Sequence, residues 1–273
     1  MAPLADATLS LLRGAYVGTL IGGFVFFLLW EGGAPRVAFG SGPERRRHVL
    51  RNLGMLLLVV LVADLVVGAW LLGTVTRIGA PSPGWLSRFE LEWPALLVIG
   101  IVAIDLFQYW WHRACHAVPW LWRLHRVHHS DTHLDVTTGA RFHALESSLG
   151  IALLVGAMLL AGIPLWVELV RTIAVNPLIL AQHANVSFPR WLERAARPVL
   201  ATPEVHRVHH SRLRAEQDSN FGQMLSVWDR LFGTWRTPPA SSRLVGVNGM
   251  DAARFQTVDG MCATPFLRVR DEA

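Results

Sequence analysis

The chain has 273 residues, 52% hydrophobic and only 16% charged, with a mean hydropathy of +0.35, whereas a soluble domain carries about a quarter charged residues. Its net charge of +5 does not point to nucleic acid, because the arginines form no stripe interleaved with exposed aromatics and sit beside apolar runs. Cys115 and Cys262 lie far apart without CxxC or finger spacing, which argues against a disulfide framework or a thiolate zinc site.

No Pro/Gly/Ser-rich linker divides the sequence, so residues 1–273 read as one unit. Residues 1–10 hold no basic stretch ahead of the first apolar run, and a cleaved signal peptide is not expected. Apolar runs over 14–30, 53–73 and 94–111 each approach the roughly 20 residues needed to cross a bilayer. A longer run, 149–182, is broken by Gly162 and Pro164. It reads as a hairpin of two shorter helices, each about 15 residues or roughly 22 Å long. Arg45, Arg46, Arg47 and Arg51 place the first loop in the cytoplasm by the positive-inside rule, and Arg113, Arg123, Arg126 and Arg141 place residues 112–146 there too. Arg77 and Arg88 in the second loop are offset by Glu90 and Glu92. A hairpin at 149–182 returns the chain to the cytoplasmic side at His183.

Of the 12 histidines, all but His48 lie between 112 and 210. His112 and His116 form HxxxH, which on a helix puts both rings on one face. His125, His128 and His129 form HxxHH, and His206, His209 and His210 repeat it inside the same hexapeptide, HRVHHS. Three imidazoles in one turn repel when protonated and need partners when buried, so two such triads and a pair on one membrane side read as a metal site. With His183 they supply enough nitrogen for two ions. Imidazole suits zinc, copper, iron and nickel alike, and these residues alone leave the metal open. His133 reads as a surface or supporting residue, while His143 either binds metal or orients a residue that does.

From DLFQYWWHRACH through LWRLHRVHHSDTHLDVTTGARFHALE and QHANVSFP to TPEVHRVHHS and NFGQMLSVWDRLFGT, residues 100–236 resemble the sterol desaturase and fatty acid hydroxylase superfamily. The resemblance implies an all-α membrane protein with about four transmembrane helices, the last two as a hairpin, beneath a cytoplasmic helical cap carrying the histidine boxes. It implies His112, His116, His125, His128, His129, His183, His206, His209 and His210 as ligands of two iron ions, with zinc a substitute on isolation. Ala144 stands where the family's RFHPLE has proline. The isolated His183 is more like the bacterial and alkylglycerol-oxygenase branches than the sphingolipid acyl hydroxylases, so the resemblance does not carry the substrate over.

Supporting residues have their own arguments. Asp105 sits inside an apolar span, where a carboxylate is costly and generally functional. It shares a stripe with Tyr109, His112 and His116, so it is expected to accept a proton from a ligand imidazole, the alternative being a helix-packing hydrogen bond. Asp105 and His143 are thus the candidate catalytic residues. Glu146, Asp218 and Asn220 are candidates for orienting ligands, and Asp229 reads as structural, held by an arginine or a helix end. Trp110, Trp111, Trp120 and Trp122 read as an interfacial aromatic belt.

The expected protein is a multi-pass enzyme, in a bacterial inner membrane, whose cytoplasmic di-iron site hydroxylates or desaturates a lipid with O2. No flavin or dinucleotide motif is present, so an external donor such as a ferredoxin, rubredoxin or cytochrome b5-like protein is expected to supply electrons. A metal transporter or sensor is the alternative from another class, but its ligands belong within the bilayer. A dizinc hydrolase is the remaining alternative.

Overall fold

Away from water a backbone satisfies its polar groups internally, which for a single apolar run means a helix. The computed structural model, which describes residues 6–68, 84–238 and 244–268, follows this rule. Helix α1 spans Asp6–Gly33, α2 Gly42–Val59, α3 Trp93–Ala117, α4 Pro119–His129, α5 Ala144–Ala161 and α6 Leu165–His183. Shorter helices follow: α7 Arg190–Ala196, α8 Pro203–His209, α9 Arg214–Gln217, α10 Val227–Leu231 and α11 Val258–Ala263. Extended pairing among the described residues is limited to two isolated bridges, Leu200 with Leu225 and Ser211 with Val245.

Four helical stretches are long and apolar enough to cross a membrane: Ser10–Gly33, Trp93–Ala117, Ala144–Ala161 and Leu165–His183. Only 6% of the apolar window in the first is buried, and 11% in the third. Leu20, Ile21, Phe26 and Leu29 on α1, Val98 and Val102 on α3, and Leu153 and Leu160 on α5 lie open. An apolar surface of this extent belongs against lipid.

The run predicted over 53–73 begins on α2. Ser41 caps this helix by accepting from the Glu44 N–H. After three polar turns it becomes apolar and runs on as a π-helical stretch, Val60–Gly68. The rest of that run, and Arg77, lie outside the described residues.

The break predicted at Gly162 and Pro164 joins α5 to α6. Gly162 adopts φ +78° and returns its N–H to Met158, the left-handed ending that glycine permits. Gly84 presses against it so closely that a Cβ there would stand 2.0 Å from the Gly162 nitrogen. The two arms separate in their packing, α5 against the π-helical end of α2 and α6 against α1. Phe27, Leu180, Ala181 and Val136 form the α1–α6 core, and Leu96, Ile104, Met158 and Val167 form that of α3, α5 and α6. The last described segment straps the outer side of α4, where Trp122 packs on Val247, Met250 and Phe255, and Val127 on Met55 and Met261.

Candidate metal centre

The bundle ends converge on one buried cluster. Helix α3 carries His112 and His116 in its last two turns and ends at Val118, which makes the last bond back to the Ala114 carbonyl and then turns extended. Pro119 then starts α4, which folds back so that the His125 ring lies 5.0 Å from those of both His112 and His116. Helix α6 ends on His183, while α8 supplies His206 and His209 and is capped by His210.

The nine histidines divide into two groups. His112, His116, His125, His129 and His209 bring their nitrogens within 4.8 Å of one another, and so do His128, His183, His206 and His210. Adjacent helical residues point about 100° apart, so each HH pair serves both groups. The rings of His128 and His129 stand at 89°, and those of His209 and His210 at 89° as well.

Hydrogen bonds to the outer nitrogens fix the tautomers. Nδ1 of His112 donates to the Phe221 carbonyl at 2.9 Å, that of His209 to Ser219 at 2.8 Å and that of His183 to Ile179 at 2.9 Å. His125 donates to Glu146 at 2.6 Å and His116 to Asp218 at 3.1 Å. Each of these rings is left with an Nε2 lone pair facing inward, the arrangement that supports a bound metal.

In the second group, Nε2 of His183 lies 3.3 Å from that of His128 and 3.0 Å from that of His206, which is 3.1 Å from that of His210. Nitrogens about 2.0–2.1 Å from a shared tetrahedral ion stand roughly 3.3 Å apart, so the spacing fits one. The Nε2 atoms of His125 and His209 and the Nδ1 atoms of His128, His129 and His206 are buried without a hydrogen-bond partner. A buried polar atom left this way is destabilising, and a metal in the group of five would relieve both Nε2 orphans. Burial drives the pKa of His128, His129, His206 and His210 well below 6.5, and that of His209 to about 3. Neutral imidazole is the ligating form.

Other expected residues lie differently. Asp105 touches none of the imidazoles. One of its oxygens accepts from the Met224 N–H, the other from the Leu225 N–H and the Trp228 indole. The loop 219–225 packs between Asp105 and the cluster, and Asp105 holds that loop to α3. His143 also stands outside both groups: its Nδ1 accepts from the Leu145 N–H as the cap of α5, and its Nε2 faces the Cys262 carbonyl. Asn220, at φ +54°, ties the Val205 and Arg236 carbonyls instead of orienting a ring. Asp229 is structural, through the Phe221 and Gly222 N–H groups and the Thr234 hydroxyl and not through an arginine. Trp110 and Trp120 are exposed as a belt requires, but Trp122 is buried beside the rings of His116 and His129. His133 stacks on Phe39 at the surface. Cys115 is buried beside His125 and Glu146.

Sequence reasoning missed the Phe221, Ser219 and Ile179 carbonyls, which carry no residue-type signal, and Phe142, whose ring stacks 4.4 Å from that of His128. It also missed a cavity of about 450 Å³ that starts at His112, His125, His128, His183 and His206 and runs between the spans to Leu154 and Tyr16.

Comparison with known proteins places residues 97–234 in a match to the fatty acid hydroxylase family. The chain is 34% identical over 201 residues to ornithine lipid hydroxylase OlsE of Rhizobium tropici, covering 71% of this chain and 58% of that protein. It is 28% identical over 158 residues to the alkylglycerol monooxygenase of Homo sapiens, covering 54% of this chain and 32% of that protein. With the cholesterol 25-hydroxylase of Rattus norvegicus it shares 28% identity over 173 residues, covering 60% and 56%. The match therefore spans less than two thirds of each relative's length. No solved structure matches the chain.

Proposed function

The chain belongs to the fatty acid hydroxylase family, and from that premise we propose that it is a membrane-bound oxygenase that hydroxylates a lipid at a pair of iron ions. The observation that carries this reading is the sorting of nine histidines into a group of five and a group of four at the end of a cavity walled by membrane-spanning helices. Iron held there would supply the reduction of O2, with one oxygen atom entering a C–H bond, the other leaving as water, and two electrons and two protons consumed.

The chain's own residues position and exclude. The Nδ1–H bonds to Phe221, Ser219, Ile179, Glu146 and Asp218 hold the rings at fixed angles, so the ligand set forms without reorganisation. Glu146 and Asp218 place negative charge behind two rings of the group of five, which would strengthen their hold on an ion there. The strap packs over α4, the helix of the first HxxHH, and the cavity between α3, α5 and α6 leaves the bilayer side open to a lipid.

Electrons would come from a separate carrier of the ferredoxin, rubredoxin or cytochrome b5-like class. Arg45, Arg46 and Arg47 begin the helix whose Asn52 bonds Asp131 at the end of α4. They therefore lie on the same side as the cluster and offer cationic ground for an acidic donor. By arginine placement that side is the cytoplasm.

The test uses protein loaded anaerobically with ferrous iron and supplied with membrane lipid, a reduced ferredoxin and 18O2. A lipid product carrying one labelled oxygen supports the reading, and His129→Ala and His210→Ala should both abolish it. Lipid cleavage by the zinc-loaded protein without O2 would establish the dizinc hydrolase instead.

A further inference from the structure

Helix α3 places two polar groups in the cavity wall that the fold itself does not use. Gln108 and Trp111 both line the cavity, three residues apart on the face that leads to His112 and Cys115. Neither the Gln108 amide nor the Trp111 indole N–H has a hydrogen-bond partner among the described residues. The other glutamines of the wall are committed. Gln182 donates to the Ala201 and Gln223 carbonyls, and the Gln223 side chain accepts from Arg171. Beside the indole, position 150 on α5 is a glycine, and a Cβ there would stand 3.1 Å from the Trp111 indole nitrogen. Any larger residue at that position would crowd the indole N–H. A primary amide on a membrane-spanning helix finds no water in hydrocarbon, so an unpartnered one facing a cavity is a strong reason to look to the occupant for its partner.

We propose that Gln108 and Trp111 recognise the carbonyl of an acyl linkage, ester or amide, in the lipid that occupies the cavity. This rests on reading the cavity as the substrate channel. The indole N–H and the Gln108 amide N–H are both donors, and a carbonyl oxygen has two lone pairs to receive them. The Gln108 oxygen remains to accept an amide N–H where the linkage has one. Gln108 precedes His112 by four residues, which sets the carbonyl roughly 6 Å deeper in the bilayer than the first histidine group. The carbon that reaches the metals therefore lies on the headgroup side of the acyl linkage.

The test compares three probes of similar length, octadecane, methyl hexadecanoate and N-methylhexadecanamide, by their thermal stabilisation of the metal-loaded protein in detergent. Both carbonyl probes should bind the unaltered protein roughly two- to tenfold more tightly than the alkane. Gln108→Leu and Trp111→Phe should each reduce that preference while leaving alkane affinity and metal content unchanged. Preference for the amide over the ester would assign the Gln108 oxygen to an amide N–H, and equal preference would assign the site to the carbonyl alone. Equal binding of all three probes to the unaltered protein, or a preference that survives both substitutions, overturns the proposal. Lipid oxidation measured on the same preparations separates the two readings: oxidation without probe discrimination refutes only this one, and discrimination without oxidation refutes only the oxygenase.

Discussion

His125 donates through Nδ1 to Glu146 at 2.6 Å, with both side chains buried. The bond commits one nitrogen and aims the other, which has no protein partner, into the group of five. Glu146→Gln keeps an oxygen that can accept the N–H but removes the charge that makes the ring a better ligand. Metal affinity or activity should fall roughly 10 to 100-fold in a folded protein, as chelator competition would measure. Unchanged affinity would reduce Glu146 to a packing residue.

Asp105 leads to a different outcome from the one its stripe suggests. Three donors converge on its carboxylate, and an asparagine there would set its NH2 against at least one N–H. Asp105→Asn should cost about 1–3 kcal/mol of stability, read as a lower unfolding midpoint in detergent, while turnover per bound metal stays near that of the unaltered protein. Full stability with lost turnover would return Asp105 to a direct role.

His48 lies outside the metal groups, 3.5 Å from Asp131 and 3.4 Å from Asp135. Burial alone would lower its pKa, but the two carboxylates outweigh burial and raise it above 6.5. A raised folded pKa means stabilisation that is fully present below 6.5 and lost as pH rises through the folded value. The difference in unfolding midpoint between the unaltered protein and His48→Gln should therefore be largest near pH 5 and shrink toward pH 9. A difference that grows with pH would contradict this.

Much of the arrangement was legible in the sequence, because HxxxH and the i, i+3 and i, i+4 pairs within HxxHH set rings on one helical face whatever surrounds them, and because Gly162 and Pro164 interrupt a run too long for one helix. The division of labour within each HH pair was not. It depends on α4 and α8 meeting so that residues about 100° apart face different neighbours. Asp105 was placed on the proper face of α3, but periodicity cannot reveal that loop 219–225 intervenes. His143 stood beside Glu146 in sequence, and only the geometry shows one capping α5 and the other reaching His125.

Asn52 on α2 bonds Asp131 and Thr137, and α6 ends at the rings that α4 presents. These contacts require one membrane side for all the histidines. Reporter fusions after residues 47, 130 and 215 should all read cytoplasmic. A periplasmic reading at 215 alone would separate α8 from α4 and break the cluster.

Two separable histidine groups imply two separable metals, and metal content per chain after anaerobic purification counts them. The unaltered protein should hold about two ions. His183→Ala strikes only the group of four and should hold about one, while His128→Ala combined with His209→Ala strikes both groups and should hold close to none. A single ion in the unaltered protein, or full retention in the double variant, would show that the two groups do not each hold a metal.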